Sequence, residues 1–171
     1  MIAIAKPFLG EEEKQAVGSV IDSGMIACGA VVEEFERRFA AYTGAAHGIA
    51  TTSGTTALEV ALRALGIGPG DKVLTTPFSF IASTNSIVYT GATPVFADID
   101  PRTFNISVDQ IEKKLAEQPD IKALLIVHLF GQACDMDPLL DVVKKHGLLL
   151  VEDCAQAHGA MYKGRRVGTF G

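Results

Sequence analysis

From about Ser53 onward, short apolar runs alternate with segments whose apolar residues recur every three or four positions. This alternation is the strongest constraint on what the chain can fold into. After Gly70-Asp71, "KVLTT" reads as a strand, "IASTNSIVYTG" as a helix ending at Gly91, and "TPVFADI" as the next strand. Ser107 and Gln110 have the spacing of a capping box ahead of Val108, Ile111 and Leu115, so a helix is predicted there. "IKALLIVHLF" follows as a strand, Asp137 to His146 as a helix with Leu139, Leu140 and Val143 inward, and "LLLV" as a fourth strand. Upstream, Val32, Phe35, Phe39 and Tyr42, and then Ala57, Leu58, Ala61, Leu62 and Leu65, recur at helical spacing. These segments end at Gly44 and Gly66, as helix C-caps require.

A β-α-β-α-β-α-β order with strands apolar on both sides demands a mostly parallel sheet, covered by helices and joined by right-handed crossovers. The expectation is an α/β fold with three layers, α/β/α. With 171 residues, 48% of them hydrophobic, the chain can form one real core, and no repeat or Pro/Ser-rich linker divides it.

Several function classes fall away. The net charge of -5 comes without any run of Lys or Arg that could track a phosphate backbone, which argues against nucleic acid. Apolar windows such as Ala123 to Val127 and Leu148 to Val151 are too short to span a bilayer, and Met1 to Pro7 lacks the regions of a signal peptide. The reading is a soluble, cytoplasmic protein. Cys28, Cys134 and Cys154 are odd in number without a C-x-x-C pair, and the four histidines lack metal-ligand spacing, so no metal site is expected.

Sheets of this kind bind ligands beyond the carboxyl ends of their strands. Polar groups gather there: Thr75-Thr76-Pro77 with Ser79 and Phe80, then Asp98 and Asp100, then His128, then Glu152-Asp153. "TTSGTTALEVAL" places Ser53-Gly54-Thr55-Thr56 at a helix start, where unpaired amides can hold an anion; Ser53 as a simple N-cap is the plainer alternative. Phe80 can stack on a flat ring or pack in the core. Asp153 ends an apolar run with no Lys or Arg adjacent, so it caps the turn "DCAQAHG" or meets a ligand cation. Gln156 and His158 can each face a ligand. Lys163, in "YKGRRVG", reads as a solvated hairpin tip.

"SGTTALEVALRALGIGPGDKVLTTPFSFIAS", "GATPVFADIDPRTFNI" and "VEDCAQAHGAMYKGRRVGTFG" together resemble the DegT-type sugar aminotransferases, pyridoxal-phosphate enzymes of the aspartate aminotransferase fold, fold type I. "SGMIACGAVVEEFERRFAAYTG" extends the likeness over nearly the whole chain. The resemblance implies that Gly54, Thr55 and Thr56 hold the cofactor phosphate and that Phe80 stacks on the pyridine ring. It implies that Asp153 is the catalytic partner of the pyridine nitrogen and that Gln156 lies near the ring's phenolic oxygen. It further implies a nucleotide-linked keto sugar as substrate, an amino acid such as glutamate as donor, and a homodimer. The family's Schiff-base lysine follows the segment matching "VGTFG", so it is expected beyond Gly171, and Lys163 does not match it. On this reading residues 1–171 are the N-terminal portion of the cofactor-binding large domain, without the small C-terminal domain. Two alternatives stay open: a sugar dehydratase of the same family, with His in place of that lysine, and a non-catalytic binding or regulatory protein.

Overall fold

The computed structural model describes residues 6–171. Two helices lead, α1 (Glu11–Asp22) and α2 (Ala30–Thr43), followed by α3 (Gly54–Ala64). Then come β1 (Lys72–Thr75), α4 (Ile81–Tyr89), β2 (Thr93–Phe96), α5 (Val108–Glu117), β3 (Ile121–Val127), α6 (Met136–His146) and β4 (Leu149–Asp153). A short hairpin, β5 (Met161–Tyr162) and β6 (Arg165–Arg166), follows.

The first four strands form one parallel sheet in the order β2-β1-β3-β4. Each interior strand is apolar on both sides because both faces are covered. Val73, Ala123, Leu125 and Val151 pack with Leu62 of α3 and Ile87 of α4, while Leu74, Leu124 and Ile126 pack with Ile111 of α5 and Leu139 of α6. The three-layer expectation therefore holds. Helix α4 carries the step from β1 to β2 in one direction, and α5 and α6 carry the steps from β2 to β3 and β3 to β4 in the other. Helices on opposite faces for opposite directions keep one hand throughout. The chain reverses between β1 and β3, which makes their carboxyl ends a topological switch point.

The differences from the sequence reading have local causes. Ser107 is the N-cap of α5 but forms no capping box, because its amide already donates to the Asp98 carbonyl at 3.0 Å and leaves nothing for Gln110 to bind. Strand β3 stops at Val127 rather than Phe130, because Phe130 takes a left-handed φ of 55° inside a single 3-10 turn, Leu129–Gly131. In α6 the deepest residues are Met136, Leu139 and Val142, with Leu140 and Val143 flanking them. Helix α1 buries no residue, and Ile21, Val31 and Phe35 keep α1 and α2 apolar toward solvent. Among the described residues, no helix is long and apolar enough to cross a membrane.

Leu124 is fully buried in the centre of β3. Leu124→Ala is expected to cost about 2–5 kcal/mol in urea unfolding followed by circular dichroism, whereas Val88→Ala on the exposed side of α4 should cost under about 1 kcal/mol.

Candidate active site

Strand β4 runs through both acids, because its ladder with β3 continues through Ile126–Glu152 and Val127–Asp153 and ends on a bond from the His128 amide to the Asp153 carbonyl at 3.1 Å. Alternation along the strand then separates the two neighbours. Asp153 follows Leu149 and Val151 toward α3 and α4, and Glu152 follows Leu150 toward the other face.

The Asp153 side chain is deeply placed, with 7% of the residue exposed. Its Oδ2 accepts from the Ser83 hydroxyl at 2.8 Å and its Oδ1 from the Ala155 amide at 3.1 Å. Among the described residues no Lys, Arg or His pairs with it, so two of its four lone-pair sites are satisfied and no positive charge offsets its burial. The turn-capping alternative is thus half right: Asp153 does bind the amide two residues on. That bond leaves the rest of the carboxylate facing a pocket of about 240 Å³.

The walls of this pocket come from four chain segments: α3, the loop after β1 with the start of α4, the end of β3, and β4 with the turn that follows it. Gly54 and Thr55 reach it from the start of α3, Ser79 and Phe80 from the loop after β1, Asp153 from β4, and Gln156 from the turn beyond. Leu58 and Val127 supply apolar surface. Ser53 caps α3 by accepting from the Thr56 amide at 3.2 Å, and the Thr56 hydroxyl sits 3.0 Å from that of Ser53 and 3.2 Å from that of Thr52. Thr56 therefore stands behind the cap rather than in the pocket wall. The amides of Gly54 and Thr55 make no hydrogen bond among the described residues, and the space beside Gly54 is open for 4 Å. Two free amides and a free Thr55 hydroxyl at a helix N-terminus are what an anion needs, so capping by Ser53 and anion binding are compatible.

Phe80 is 73% exposed, which excludes core packing and leaves its ring as a wall of the pocket. Gln156 accepts from the Phe130 amide at 2.8 Å through Oε1. An amide N–H needs an oxygen acceptor, so this contact assigns the Gln156 flip and leaves its NH₂ group as the donor end. Ser83 was not singled out in the sequence. Its one signal is a position in the first turn of α4, four residues after Ser79 in the preceding loop; the two hydroxyls lie 3.0 Å apart.

On the opposite face Glu152 is fully engaged. His128 Nδ1 accepts from the Cys134 amide at 3.0 Å, so its Nε2 carries the proton and donates to Glu152 at 3.0 Å. The amides of Gly168, Phe170 and Gly171 donate to the same carboxylate at 2.8, 2.6 and 2.8 Å. Gly171 gets this close because it has no side chain: a Cβ there would lie 2.6 Å from the Leu150 carbonyl oxygen. Burial pushes the Glu152 carboxyl up, yet the His128 and backbone donors outweigh it and hold it below the usual range. His128, Glu152 and Cys154 bring their ligating atoms within 4.8 Å of one another. That cluster is poor in metal donors: the lone pairs of His128 and Glu152 are committed, and burial pushes the Cys154 thiol up to about 12.

His158 packs edge-on against Phe39, with centroids 5.6 Å apart, and lies outside the pocket. Lys163, with φ of 48°, forms the exposed tip of the β5–β6 hairpin with Gly164 and pairs with Asp137, as a solvated turn residue would. Asp98 and Asp100 also lie elsewhere; Asp100 pairs with Arg102 beside a larger cleft of about 470 Å³. In that cleft Asn105 donates to the Gln132 carbonyl and Tyr162 to Asp135, and the carboxylates are exposed or half-buried. The smaller pocket is the one that combines a buried carboxylate lacking a cationic partner with free amides at a helix start.

Known proteins share the sequence and the fold of this chain. The sequence profile described as the DegT/DnrJ/EryC1/StrS aminotransferase family matches residues 7–171. The chain is 47% identical over 171 residues to GDP-perosamine synthase of Caulobacter vibrioides, covering 99% of this chain and 46% of that protein. It is 44% identical over 161 residues to dTDP-3-amino-3,6-dideoxy-alpha-D-galactopyranose transaminase of Aneurinibacillus thermoaerophilus, covering 94% and 44%. The solved PLP form of Spr1654 from Streptococcus pneumoniae superposes with a TM-score of 0.92 at 35% identity, over 98% of this chain and 46% of that one. The chain thus spans a little under half the length of the curated relatives it matches.

Glu152 also sets an acid limit on stability. Its carboxyl is depressed in the folded state, so its contribution is present above the unfolded value of about 4.3 and is lost as pH falls through the folded value. Urea midpoints of the parent should fall as pH drops below about 4. Glu152→Gln should cost about 1–3 kcal/mol at neutral pH, since an NH₂ group would face N–H donors, and should flatten part of that acid dependence.

Proposed function

Because the chain belongs to the DegT/DnrJ/EryC1/StrS aminotransferase family, we propose that it builds the cofactor pocket of a pyridoxal-phosphate-dependent aminotransferase. The substrate class is a nucleotide-linked keto sugar, with an amino acid such as glutamate as donor. The observation that carries this reading is the buried Asp153 carboxylate, unpaired with any cation among the described residues and facing a pocket walled by an aromatic ring.

The donor set fits the cofactor group by group. The free amides of Gly54 and Thr55, with the Thr55 hydroxyl, suit a phosphate; charge-assisted hydrogen bonds of about 1.5–3 kcal/mol each would outweigh the helix dipole at about 0.3–1 kcal/mol. Thr56 would act behind them by holding the Ser53 cap and so the angle of the first turn. Phe80 offers a ring face for stacking, worth about 0.5–1.5 kcal/mol beyond burial. Gln156 offers its NH₂ group to an oxygen, which matches the ring's phenolic position. Asp153 holds a proton on the ring nitrogen, because a desolvated carboxylate favours the cationic form of a base beside it. When bound, pyridoxal phosphate supplies the electron sink for the pair left as a proton departs from the carbon attached to nitrogen.

Residues 1–171 are read as the N-terminal portion of the large, cofactor-binding domain, in keeping with their span of under half of the relatives. Such chemistry belongs in the cytoplasm, where nucleotide sugars are made. The apolar outer faces of α1 and α2 support a homodimer as the working form.

The test is a coupled assay of the full-length gene product with pyridoxal phosphate, glutamate and a nucleotide-linked keto sugar, scored by 2-oxoglutarate release. Turnover is expected, and Asp153→Ala should lower it about 100-fold or more, equivalent to about 2.7 kcal/mol, with circular dichroism unchanged. Near-parent turnover in Asp153→Ala would remove Asp153 from its role.

A further inference from the structure

Ser83 lies 1% exposed in the first turn of α4, and its hydroxyl leaves the helix to reach a strand 70 residues away in sequence. Other hydroxyl residues of this segment behave differently. Ser86 donates to the Ser83 carbonyl at 2.9 Å and Thr90 to the Ile87 carbonyl at 2.7 Å, the local back-bonding common for such side chains in helices. Ser83 alone spends its proton on Asp153 Oδ2, at 2.8 Å, and stands 3.0 Å from the Ser79 hydroxyl.

The direction of this chain follows from donor chemistry. A carboxylate only accepts, so Ser83 donates to Asp153; its hydroxyl hydrogen is then used, and Ser79 must donate to Ser83. The Ser79 oxygen, at the pocket wall, is left with lone pairs alone. Hydrogen bonds in such a row polarise one another, which strengthens the last one. The Ala155 amide takes the other carboxylate oxygen at 3.1 Å. Both oxygens of Asp153 are thereby clamped and only the lone pairs toward the pocket remain.

The same turn also carries the aromatic wall. The Ser83 amide donates to the Phe80 carbonyl at 3.1 Å. One rigid unit therefore fixes the stacking face and the orientation of the carboxylate together.

We infer that Ser83 is a positioning residue for Asp153, and that Ser79 and Ser83 form a one-way hydrogen-bond relay holding the carboxylate in register with the ring that Phe80 stacks on. This inference rests on the proposed cofactor reading. It deepens that reading by assigning a role to two hydroxyls on α4 and its approach, and it makes Ser79 an acceptor, not a donor, toward anything bound.

The experiment uses the full-length gene product and pyridoxal phosphate as probe. In Ser83→Ala, the dissociation constant for pyridoxal phosphate is expected to rise about 3- to 10-fold and the long-wavelength absorbance band of the bound cofactor to shift. The turnover number should fall about 10-fold, with KM for the amino donor within about 2-fold of the parent. Ser83→Thr, which keeps the hydroxyl, should restore the band and the affinity; a defect that it does not restore counts against the relay. Should Ser83→Ala fail to fold, Ser79→Ala carries the test, with the same band shift and an affinity loss of about 2- to 3-fold expected. Unchanged affinity and band in the folded alanine variant overturn the inference. Asp153→Asn separates the two levels. If it alters the band while Ser83→Ala does not, the relay alone is wrong; if neither variant alters it, the cofactor reading itself falls.

Discussion

The alternation of side chains along β4 is the constraint on which the rest depends. Two carboxylates stand next to each other at the end of a buried strand, and a pleat of period two sends them to opposite faces. Glu152 meets His128 and three backbone amides and becomes part of the framework. Asp153 meets one hydroxyl and one amide and keeps capacity to spare. A register slip of one residue would turn Asp153 away from the pocket and Glu152 away from His128 and the amides that hold it.

Around that carboxylate the fold places three kinds of group by three different physical routes. The reversal of strand order between β1 and β3 opens the crevice. The Ser53 cap takes the Thr56 amide, while those of Gly54 and Thr55 stay free because a helix start offers them no acceptor. The left-handed turn at Phe130 brings its amide to Gln156 and so decides which end of that side chain is free toward the pocket. None of these groups alone would make a site for a charged, flat ligand such as the proposed cofactor. Their convergence in one pocket is what distinguishes it from the larger cleft near Asp100, whose carboxylates are exposed or half-buried.

Much of this was legible in the sequence, because it depended on local pattern. The four apolar runs, the glycine stops at Gly44 and Gly91 and the S-G-T start of α3 are short-range signals, and they led to the strand ends where Phe80, Asp153 and Gln156 lie. What stayed hidden depends on distance in the chain. Ser83 reads as an unremarkable small residue until Asp153 is brought to it from 70 positions away. The link between His128 and Glu152 spans 24 positions. The capping box at Ser107 failed for the same reason, since the Asp98 carbonyl that takes its amide comes from the end of the preceding strand segment. Family resemblance implied roles for residues; it did not supply the partners that hold them.

If Asp153 keeps a pyridine nitrogen protonated, as proposed, the most direct measurement is of that nitrogen. Pyridoxal phosphate labelled with ¹⁵N in the ring, bound to the full-length gene product, should show the resonance of a protonated pyridinium across the range of about pH 6 to 8. In Asp153→Ala the resonance should move to that of the unprotonated ring. An unprotonated nitrogen in the parent protein, or the same protonated signal in both proteins, would contradict the account.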